Sequence, residues 1–293
     1  MKIFVAGGNG FVGSHVSEYL EGTNEVYRGT RVGEGEGIPL DLLDKEDVER
    51  VIADVRPDVI INCAGVVGVD GNLDSNKEIS KNLLEAAVSA GISLKRFIMC
   101  GSAGEYGVVP PEDLPVKETQ PLAAAQPYPV SKINEERFVR EYADEHSIDA
   151  IIARLFNPIG ANMAPRYLIS GVLRQVEAIR NGESDKIEVG RLDALRDYID
   201  VDDVAEAIGK LATCTTHEFP EYNIGSGVAT DNQTLVKQLL EYSQIPSTVP
   251  VVETSENPEA PLACQADITR LENEFGWKPK RSLSETLKGA VGL

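Results

Sequence analysis

The chain has 293 residues, of which 42% are hydrophobic and 26% are charged, a composition typical of a globular protein with a sizeable core. Its formal net charge of -19 argues against nucleic acids and anionic membrane surfaces as partners, because like charges repel each other over long distances. No apolar run approaches the about 20 residues that span a bilayer, no signal peptide is recognisable, and the four cysteines lack a metal-binding spacing. We therefore expect a cytoplasmic protein with reduced thiols and no metal site.

The first predicted element is a short apolar strand, Lys2 to Ala6, which runs into glycines at positions 7, 10 and 13 and then into an amphipathic segment, 14–20. A strand, a glycine turn and a helix in this order bring backbone amides and the positive end of the helix dipole to an anion. Gly7 permits the tight turn, Gly10 lets the backbone approach a pyrophosphate, and Gly13 allows close packing of helix and strand. The spacing is one residue longer than the usual dinucleotide fingerprint, and a glycine loop that binds nothing is the alternative. We predict a dinucleotide site that includes Gly7, Gly10, Phe11, Val12 and Gly13.

Strands and helices alternate over the first half of the chain. The predicted strands after the first are 24–28, 38–40, 59–64, 97–100 and 150–153. The predicted helices are 44–55, with Asp44 as N-cap, and about 73–90. The strands at 59–64 and 97–100 are apolar on both faces, which is typical of buried parallel strands. The alternation predicts an α/β fold with a doubly wound, Rossmann-type parallel sheet.

Beyond residue 157 the segments become shorter and the alternation weakens. Here we predict helices at 167–181, 204–211 and 233–242 and a strand at 186–189, followed by a strand-like segment at 222–227. Ligands of open α/β sheets bind outside the carboxyl ends of the strands, so a smaller C-terminal α/β substrate lobe closing over that edge is expected. We assign 1–155 and about 192–215 to the dinucleotide-binding domain, and 156–191 and 216–293 to the smaller lobe.

Two parts of the sequence offer groups for proton transfer: the pair Tyr128 and Lys132, and Ser102. Tyr128 and Lys132 are four residues apart and share a helix face, so the ammonium can lie close to the phenol. A charge about 5 Å away at an effective dielectric constant of about 20 contributes about 3 kcal/mol, or about two pKa units below the usual tyrosine value of about 10. Ser102 follows a buried strand, where it can hydrogen-bond the carbonyl that Tyr128 protonates. A chance tyrosine–lysine pair and a serine that only caps the backbone are the alternatives.

The order of these motifs resembles the extended short-chain dehydrogenase/reductases that act on nucleotide sugars, the NAD-dependent epimerase/dehydratase family. The segments that carry this resemblance are the glycine motif, Asn62-Cys63-Ala64-Gly65, Ser102, Tyr128 with Lys132, Arg154-Leu155-Phe156-Asn157, Arg196-Asp197-Tyr198 and Gly276-Trp277-Lys278-Pro279. Within the family, three segments resemble the GDP-4-keto-6-deoxymannose reductases: 107–115, 156–160 and 189–197.

The resemblance implies roles for individual residues. Tyr128 would be the acid, Lys132 would tune it and hold the nicotinamide ribose, and Ser102 would orient the carbonyl. Further cofactor contacts are implied at Asp41, Leu42, Ala64 and Asn76. The implied substrate contacts besides Ser102 are Asn157, Arg166, Arg191 and Arg196, with Asn157 and Arg196 on the diphosphate. For Arg196, a surface ion pair with Asp197 or a neighbour is the alternative. The resemblance also implies a homodimer formed through the helix of Lys132, to which Phe138 and Tyr142 can contribute.

The end of the second predicted strand concerns the cofactor. NAD-specific sites place a carboxylate there for the ribose 2′-hydroxyl, but this chain has Arg28-Gly29-Thr30-Arg31. Arginine suits a 2′-phosphate, so NADPH/NADP is predicted, with Arg31 as the first candidate and Arg28 as the second. Solvated strand-end charges, and hence NAD, are the alternative.

Departures from the family pattern concern the reaction. A 4,6-dehydratase has carboxylates directly after the serine or threonine position, where this chain has Ala103 and Gly104, with Glu105 displaced by one residue. Pro158 replaces a common histidine, and Arg191 stands where the reductases often have asparagine. We therefore predict an oxidoreductase that reduces the C4 keto group of a GDP-linked 4-keto-6-deoxyhexose. A dTDP-linked substrate, a nucleotide-sugar 4-epimerase and a non-enzymatic, redox-sensing NADP-binding protein are the alternatives.

Overall fold

The computed structural model describes residues 1–31, 35–66, 73–160, 163–165, 167–254 and 263–292. The strands among these residues are β1 (Lys2–Ala6), β2 (Glu25–Thr30), β3 (Ile38–Pro39), β4 (Val59–Asn62), β5 (Arg96–Ser102), β6 (Ala150–Leu155), β7 (Pro158–Ile159), β8 (Ile187–Val189), β9 (Leu195–Asp197), β10 (Ile199–Asp200), β11 (Glu221–Ile224), β12 (Ala229–Asp231) and β13 (Val251–Glu253). The α-helices are α1 (Phe11–Glu21), α2 (Lys45–Val55), α3 (Asp74–Ser89), α4 (Pro127–His146), α5 (Leu168–Arg180), α6 (Val201–Thr213), α7 (Asn232–Tyr242), α8 (Thr269–Phe275) and α9 (Leu283–Val291).

Seven strands form one parallel sheet in the order β11-β6-β5-β4-β1-β2-β3. From β1 the chain builds β2 and β3 on one side and then returns to place β4, β5 and β6 on the other. This change of direction opens a crevice at the carboxyl ends of β1 and β4, the place where open α/β sheets bind ligands. The doubly wound, Rossmann-type α/β fold predicted from the sequence is confirmed.

Two apolar layers cover the faces of the sheet. On one face, α1 and α6 pack their buried residues, among them Val16, Leu20 and Ile208, against β1, β4 and β6. On the other face, α2, α3 and α4 contribute a second cluster that includes Val51, Leu83 and Val139. The strands are apolar on both faces because both are covered. Among the described residues, no helix combines the length and apolar character needed to cross a membrane.

The predicted boundaries differ from the observed ones where glycines and caps decide them. Helix α1 begins at Phe11, three residues before the predicted start, because the chain turns helical directly after Gly10. Asp44 caps α2 as expected, and its carboxylate accepts hydrogen bonds from the amides of Glu46 and Asp47. Helix α6 also starts three residues early, at Val201, because Asp200 caps it.

A third apolar cluster lies in the C-terminal part, where α5, α7 and α9 pack against Ile187 and Val189 of β8, the strand that pairs with β13. One segment expected in this lobe lies elsewhere. Strand β11, at 221–224, is the edge strand of the main sheet, and Trp277 is buried in the cluster beneath it. The sequence favours the C-terminal lobe for this strand because its pairing with β6 joins residues about 70 positions apart, and no local pattern reveals such a pairing. The division of the chain into two domains stays a prediction.

Candidate active site

A cleft of about 1280 Å³ follows the carboxyl ends of the central strands and continues under the C-terminal part of the chain. Most of the side chains selected from the sequence line it. These are Gly7, Gly10, Phe11, Val12, Arg31, Asp41, Leu42, Ala64, Ser102, Tyr128, Lys132, Asn157 and Arg196.

The glycine turn forms one end of the cleft. Gly7 has a φ of +72°, a conformation that side chains rarely adopt, and its amide and that of Gly8 donate to the Gly29 carbonyl at 2.9 and 3.0 Å. Gly10 is the N-cap of α1 and makes no side-chain hydrogen bond to the helix. The first amides of α1 therefore lie beside the cleft without a capping side chain, an arrangement that fits a phosphate group.

Gly13 lies behind this turn, outside the cleft lining. An ideal Cβ at Gly13 would lie 2.1 Å from the Gly7 carbonyl oxygen, so only glycine allows α1 to approach the turn this closely. Gly13 supports the turn through packing.

The two candidate arginines at the end of β2 have different surroundings. Arg31 lines the cleft together with Asp41 and Leu42. Arg28 does not line the cleft, and its Nε donates to the Glu21 carboxylate on α1 at 2.8 Å. The geometry therefore favours Arg31 over Arg28 as a contact for a cofactor in the cleft.

Asn76, another predicted cofactor contact, is buried and does not line the cleft. Its amide oxygen accepts from the Val66 amide at 2.6 Å, and its amide nitrogen donates to the Val66 carbonyl at 3.1 Å and to Ser131 Oγ at 2.9 Å. Asn76 thus fixes the segment after β4, which carries Ala64, against α4.

Ser102 ends β5 and caps a short 3-10 helix, Ala103–Tyr106. Its Oγ accepts from the Gly104 amide at 3.2 Å, so the hydroxyl hydrogen remains available to a ligand in the cleft. Ser102 can therefore cap the 3-10 helix and at the same time donate a hydrogen bond to a ligand in the cleft. Ala103 and Gly104 also line the cleft, but Glu105 is fully buried and accepts from the Ser102 amide at 2.6 Å.

Tyr128 and Lys132 lie on the first turns of α4, and both line the cleft. Lys132 Nζ donates to Glu135 Oε2 at 2.5 Å, and both residues are buried. Burial alone would lower the pKa of Lys132, but the negative charge of Glu135 raises it above its ordinary value. The sequence analysis did not single out Glu135, although its position three residues after Lys132 is the signal that could have found it.

The expected lowering of the pKa of Tyr128 is wrong. Burial raises this pKa above its ordinary value, and the lowering by Lys132 is outweighed, with Tyr167, Glu105 and Glu135 adding further increases. One positive charge near the phenol lowers its pKa, but the removal of the phenol from water and the carboxylate that offsets the lysine both raise it.

A second buried ionic group lies behind Ser102. Arg154 binds Glu136 through Nη2 at 2.7 Å and Nε at 3.2 Å. Although burial opposes it, the bonds from Arg154 lower the pKa of Glu136. Burial raises the pKa of Glu105 well above its ordinary value, and the neighbouring Glu136 raises it further. Burial and the neighbouring negative charge thus both favour the protonated form of Glu105.

On the opposite wall, Asn157 and Arg196 face the cleft. The Asn157 amide nitrogen donates to the Asp197 carbonyl at 2.9 Å, and Arg196 Nη1 donates to the Leu195 carbonyl at 2.8 Å. The Asp197 carboxylate is buried and accepts from the backbone amides of Ser226, Gly227 and Ala266. The predicted alternative for Arg196, an ion pair with Asp197, is therefore not favoured, because the Asp197 carboxylate is already bound by these amides.

Of the remaining two substrate candidates, only Arg191 lies among the described residues, and it does not line the cleft. Arg191 pairs with Asp193 at 2.6 Å and is absent from the cleft lining, where its neighbour Gly190 stands instead. This pairing of nearby side chains competes with a ligand for the guanidinium. Arg166 lies outside the described residues. Tyr198 and Asn232, which the sequence analysis missed as lining residues, meet at 2.6 Å in the same wall.

Comparisons with known proteins agree with this geometry. The family model described as the NAD dependent epimerase/dehydratase family matches residues 3–225. The dTDP-6-deoxy-L-talose 4-dehydrogenase (NAD(P)(+)) of Kitasatospora kifunensis is 28% identical over 98% of this chain and 93% of its own length. The GDP-6-deoxy-D-mannose reductase of Pseudomonas aeruginosa is 26% identical over 99% and 96%.

Solved structures are similar over the whole chain. RMD from Pseudomonas aeruginosa, complexed with NADPH, superposes with a TM-score of 0.87 at 27% identity, covering 99% of this chain and 97% of that one. The UDP-glucose 4-epimerase of Thermus thermophilus, in complex with NAD, gives a TM-score of 0.85 at 26% identity, covering 100% and 98%.

Proposed function

Since this chain belongs to the NAD dependent epimerase/dehydratase family, we propose that it is an NADPH-dependent reductase of the C4 keto group of a nucleotide-linked 4-keto-6-deoxyhexose. The family acts on nucleotide sugars with a nicotinamide cofactor, and this chain is an enzyme of that kind. The GDP-linked sugar is the first candidate, because the Pseudomonas aeruginosa reductase and the segments at 107–115, 156–160 and 189–197 favour it. The dTDP-linked sugar, favoured by the talose dehydrogenase relative, is the second.

The observation that carries the proposal is the position of Glu105. A dehydratase must remove a proton from C5 and expel the C6 hydroxyl, which calls for carboxyl groups beside the serine position. At that place Ala103 and Gly104 face the cleft, and Glu105 points away from it toward the Ser102 amide. The end of β5 therefore supplies the Ser102 hydroxyl, a hydrogen-bond donor for a carbonyl, but no base for C5.

The residues of the cleft fit a C4 reduction. A bound reduced nicotinamide supplies the hydride, and the uncapped start of α1 beyond Gly10 suits the pyrophosphate of such a cofactor. Tyr128 donates a proton to the carbonyl oxygen, and its raised pKa keeps that proton in place at neutral pH. Ser102 donates its hydroxyl hydrogen to the same oxygen, while Asn157 and Arg196 bind the diphosphate.

A 4-epimerase is the second candidate, favoured by the likeness to the UDP-glucose 4-epimerase. Serine and tyrosine suffice for epimerisation, so the catalytic residues do not separate the two reactions. Arg31 favours the reductase, because an arginine in the cleft beyond β2 suits the 2′-phosphate of NADPH, a cofactor that a reductase must exchange in every turnover.

We also propose a homodimer formed through α4, in the cytoplasm. Phe138 and Tyr142 are half-buried on one face of α4, with ring centroids 5.5 Å apart, and a second copy would cover them. Sedimentation analysis of Phe138→Glu tests this: the variant is expected to be monomeric, and a dimer would contradict the assignment of this face.

The test of the reaction is incubation of the protein with NADPH and either GDP- or dTDP-4-keto-6-deoxyhexose, followed by mass spectrometry. We expect stoichiometric NADPH oxidation and a product that has gained two hydrogens, with the GDP-linked sugar preferred. In a separate incubation with GDP-mannose or dTDP-glucose, loss of water from the sugar would establish a dehydratase instead. Isomerisation of a sugar nucleotide without net cofactor use would establish an epimerase.

A further inference from the structure

The ammonium of Lys132 is held by a carboxylate that does not line the cleft. Glu135 Oε2 accepts from Lys132 Nζ at 2.5 Å, while Oε1 accepts from Asn62 Nδ2 at 3.1 Å and from Ser80 Oγ at 2.6 Å. Glu135, Asn62 and Ser80 are buried and come from α4, β4 and α3 respectively. Three elements of the fold therefore fix the carboxylate, and the carboxylate fixes the ammonium.

Glu135 makes more hydrogen bonds than it would need if it served only as a counter-ion for the Lys132 ammonium. A buried ammonium needs a counter-ion, but one carboxylate with a single bond to it would provide the charge. Here both carboxylate oxygens of Glu135 are bound. Lys132 binds one oxygen, and Asn62 and Ser80 bind the other, so the carboxylate is held in one orientation. Lys132 is thereby held on the same face of α4 as Tyr128, one turn further along.

We propose that Glu135 is a positioning residue, the ionised carboxylate that fixes the Lys132 ammonium beneath Tyr128 and offsets part of its charge. This rests on the proposed function for the roles of Tyr128 and Lys132. The orientation of Lys132 then determines how well the chain binds the cofactor. The charge of Glu135 is one of the influences that oppose the ionisation of Tyr128.

The charged and titratable groups that face Tyr128 are Lys132, Tyr167, Glu105 and Glu135. Of these, Lys132 lowers the pKa of the phenol and the other three raise it, while burial raises it most. Replacing Glu135 by glutamine removes one of the charges that raise the pKa of Tyr128, and it leaves the positive charge of Lys132 without its carboxylate partner. The phenolate form then becomes easier to reach.

The experiment compares wild type with Glu135→Gln in two measurements that need no sugar substrate. In protein with 13C-labelled tyrosine Cζ, assigned through Tyr128→Phe, we expect the pH of Tyr128 ionisation to fall, because one of the charges that oppose the phenolate is removed. In a fluorescence titration, we expect the Kd for NADPH to rise about tenfold, because the ammonium loses its fixed position. Glu141→Gln, an exposed glutamate on the same helix paired with Arg137, is the matched control and is expected to change neither value.

The outcomes separate this proposal from the proposed function. A folded Glu135→Gln protein with an unmoved Tyr128 titration and an unchanged Kd for NADPH would overturn the positioning role, whatever sugar the enzyme reduces. Shifts in both values without turnover of any 4-keto sugar would support the positioning role and contradict the proposed reaction.

A second variant covers the case in which Glu135→Gln does not fold. Ser80→Ala removes one hydrogen bond from the carboxylate and leaves its charge in place. We expect about threefold weaker NADPH binding with an unmoved Tyr128 titration, because orientation is loosened while the electrostatics are kept. Unchanged NADPH binding in Ser80→Ala would overturn the proposal.

Discussion

Replacing Gly13 by alanine tests whether the glycine turn depends on the close approach of α1. The added Cβ would lie 2.1 Å from the Gly7 carbonyl oxygen, 2.9 Å from the Gly7 carbonyl carbon and 3.2 Å from Gly8 Cα. All three atoms belong to the backbone of the turn, so no side chain can rotate to make room. Helix α1 or the turn must move by about 1 Å to restore ordinary contact distances.

The magnitude follows from two opposing effects. Overpacking of this kind costs about 3 kcal/mol, whereas alanine in a helix is favoured over glycine by about 1 kcal/mol. The net loss is about 2 kcal/mol of the free energy of unfolding, which corresponds to a fall in Tm of about 3 °C for a chain of this size. Displacing the amides at Gly10 and beyond also weakens about two hydrogen bonds to a phosphate, so the Kd for NADPH is expected to rise about a hundredfold.

The assay is urea denaturation of wild type and Gly13→Ala, together with NADPH titration by fluorescence. Gly289→Ala is the matched control. Gly289 lies in the exposed interior of α9, and an added Cβ there meets nothing within 4 Å. The same substitution should therefore stabilise the protein by about 0.5–1 kcal/mol at position 289 and leave NADPH binding unchanged. Wild-type stability together with wild-type NADPH affinity in Gly13→Ala would refute the packing argument.

Tyr128→Phe is expected to bind NADPH normally while turnover falls about 10²–10⁴-fold, the usual contribution of a placed general acid; a variant that keeps more than half the activity contradicts the assignment. Arg31→Ala is expected to lower kcat/KM with NADPH about tenfold and to spare NADH, and equal efficiency with both cofactors in wild type would rule out a 2′-phosphate role. Because the pKa of Glu105 is raised in the folded protein, its contribution to stability is full below the ordinary carboxyl pKa and is lost as pH rises through the folded value. Glu105→Gln should therefore remove this loss, and a denaturation series across pH that keeps the wild-type slope would show that Glu105 is ionised.

The groupings that can be predicted from the sequence are those of residues close together along the chain. Tyr128 and Lys132 share a face of α4 because four residues make about one helical turn, and this geometry is set by residues close in sequence. The glycines at 7, 10 and 13 likewise act within one strand–turn–helix unit, and the apolar strands reveal a sheet covered on both sides. For these reasons the fold can be predicted from the sequence, and most of the residues selected from the sequence line the cleft.

What the tertiary structure decides is the environment of each charged group. Glu135 meets Asn62 and Ser80 across 73 and 55 residues of chain, and these contacts make it the counter-ion of Lys132. Burial, which is a property of the assembled layers, reverses the expected direction of the Tyr128 pKa. Desolvation and charge pairing depend on distances through space between residues far apart in sequence, whereas periodicity records only neighbours along the chain. The sequence by itself therefore determines local groupings such as Tyr128 with Lys132, and the packed structure determines which groups reach the cleft and which of them carry a charge or a proton there.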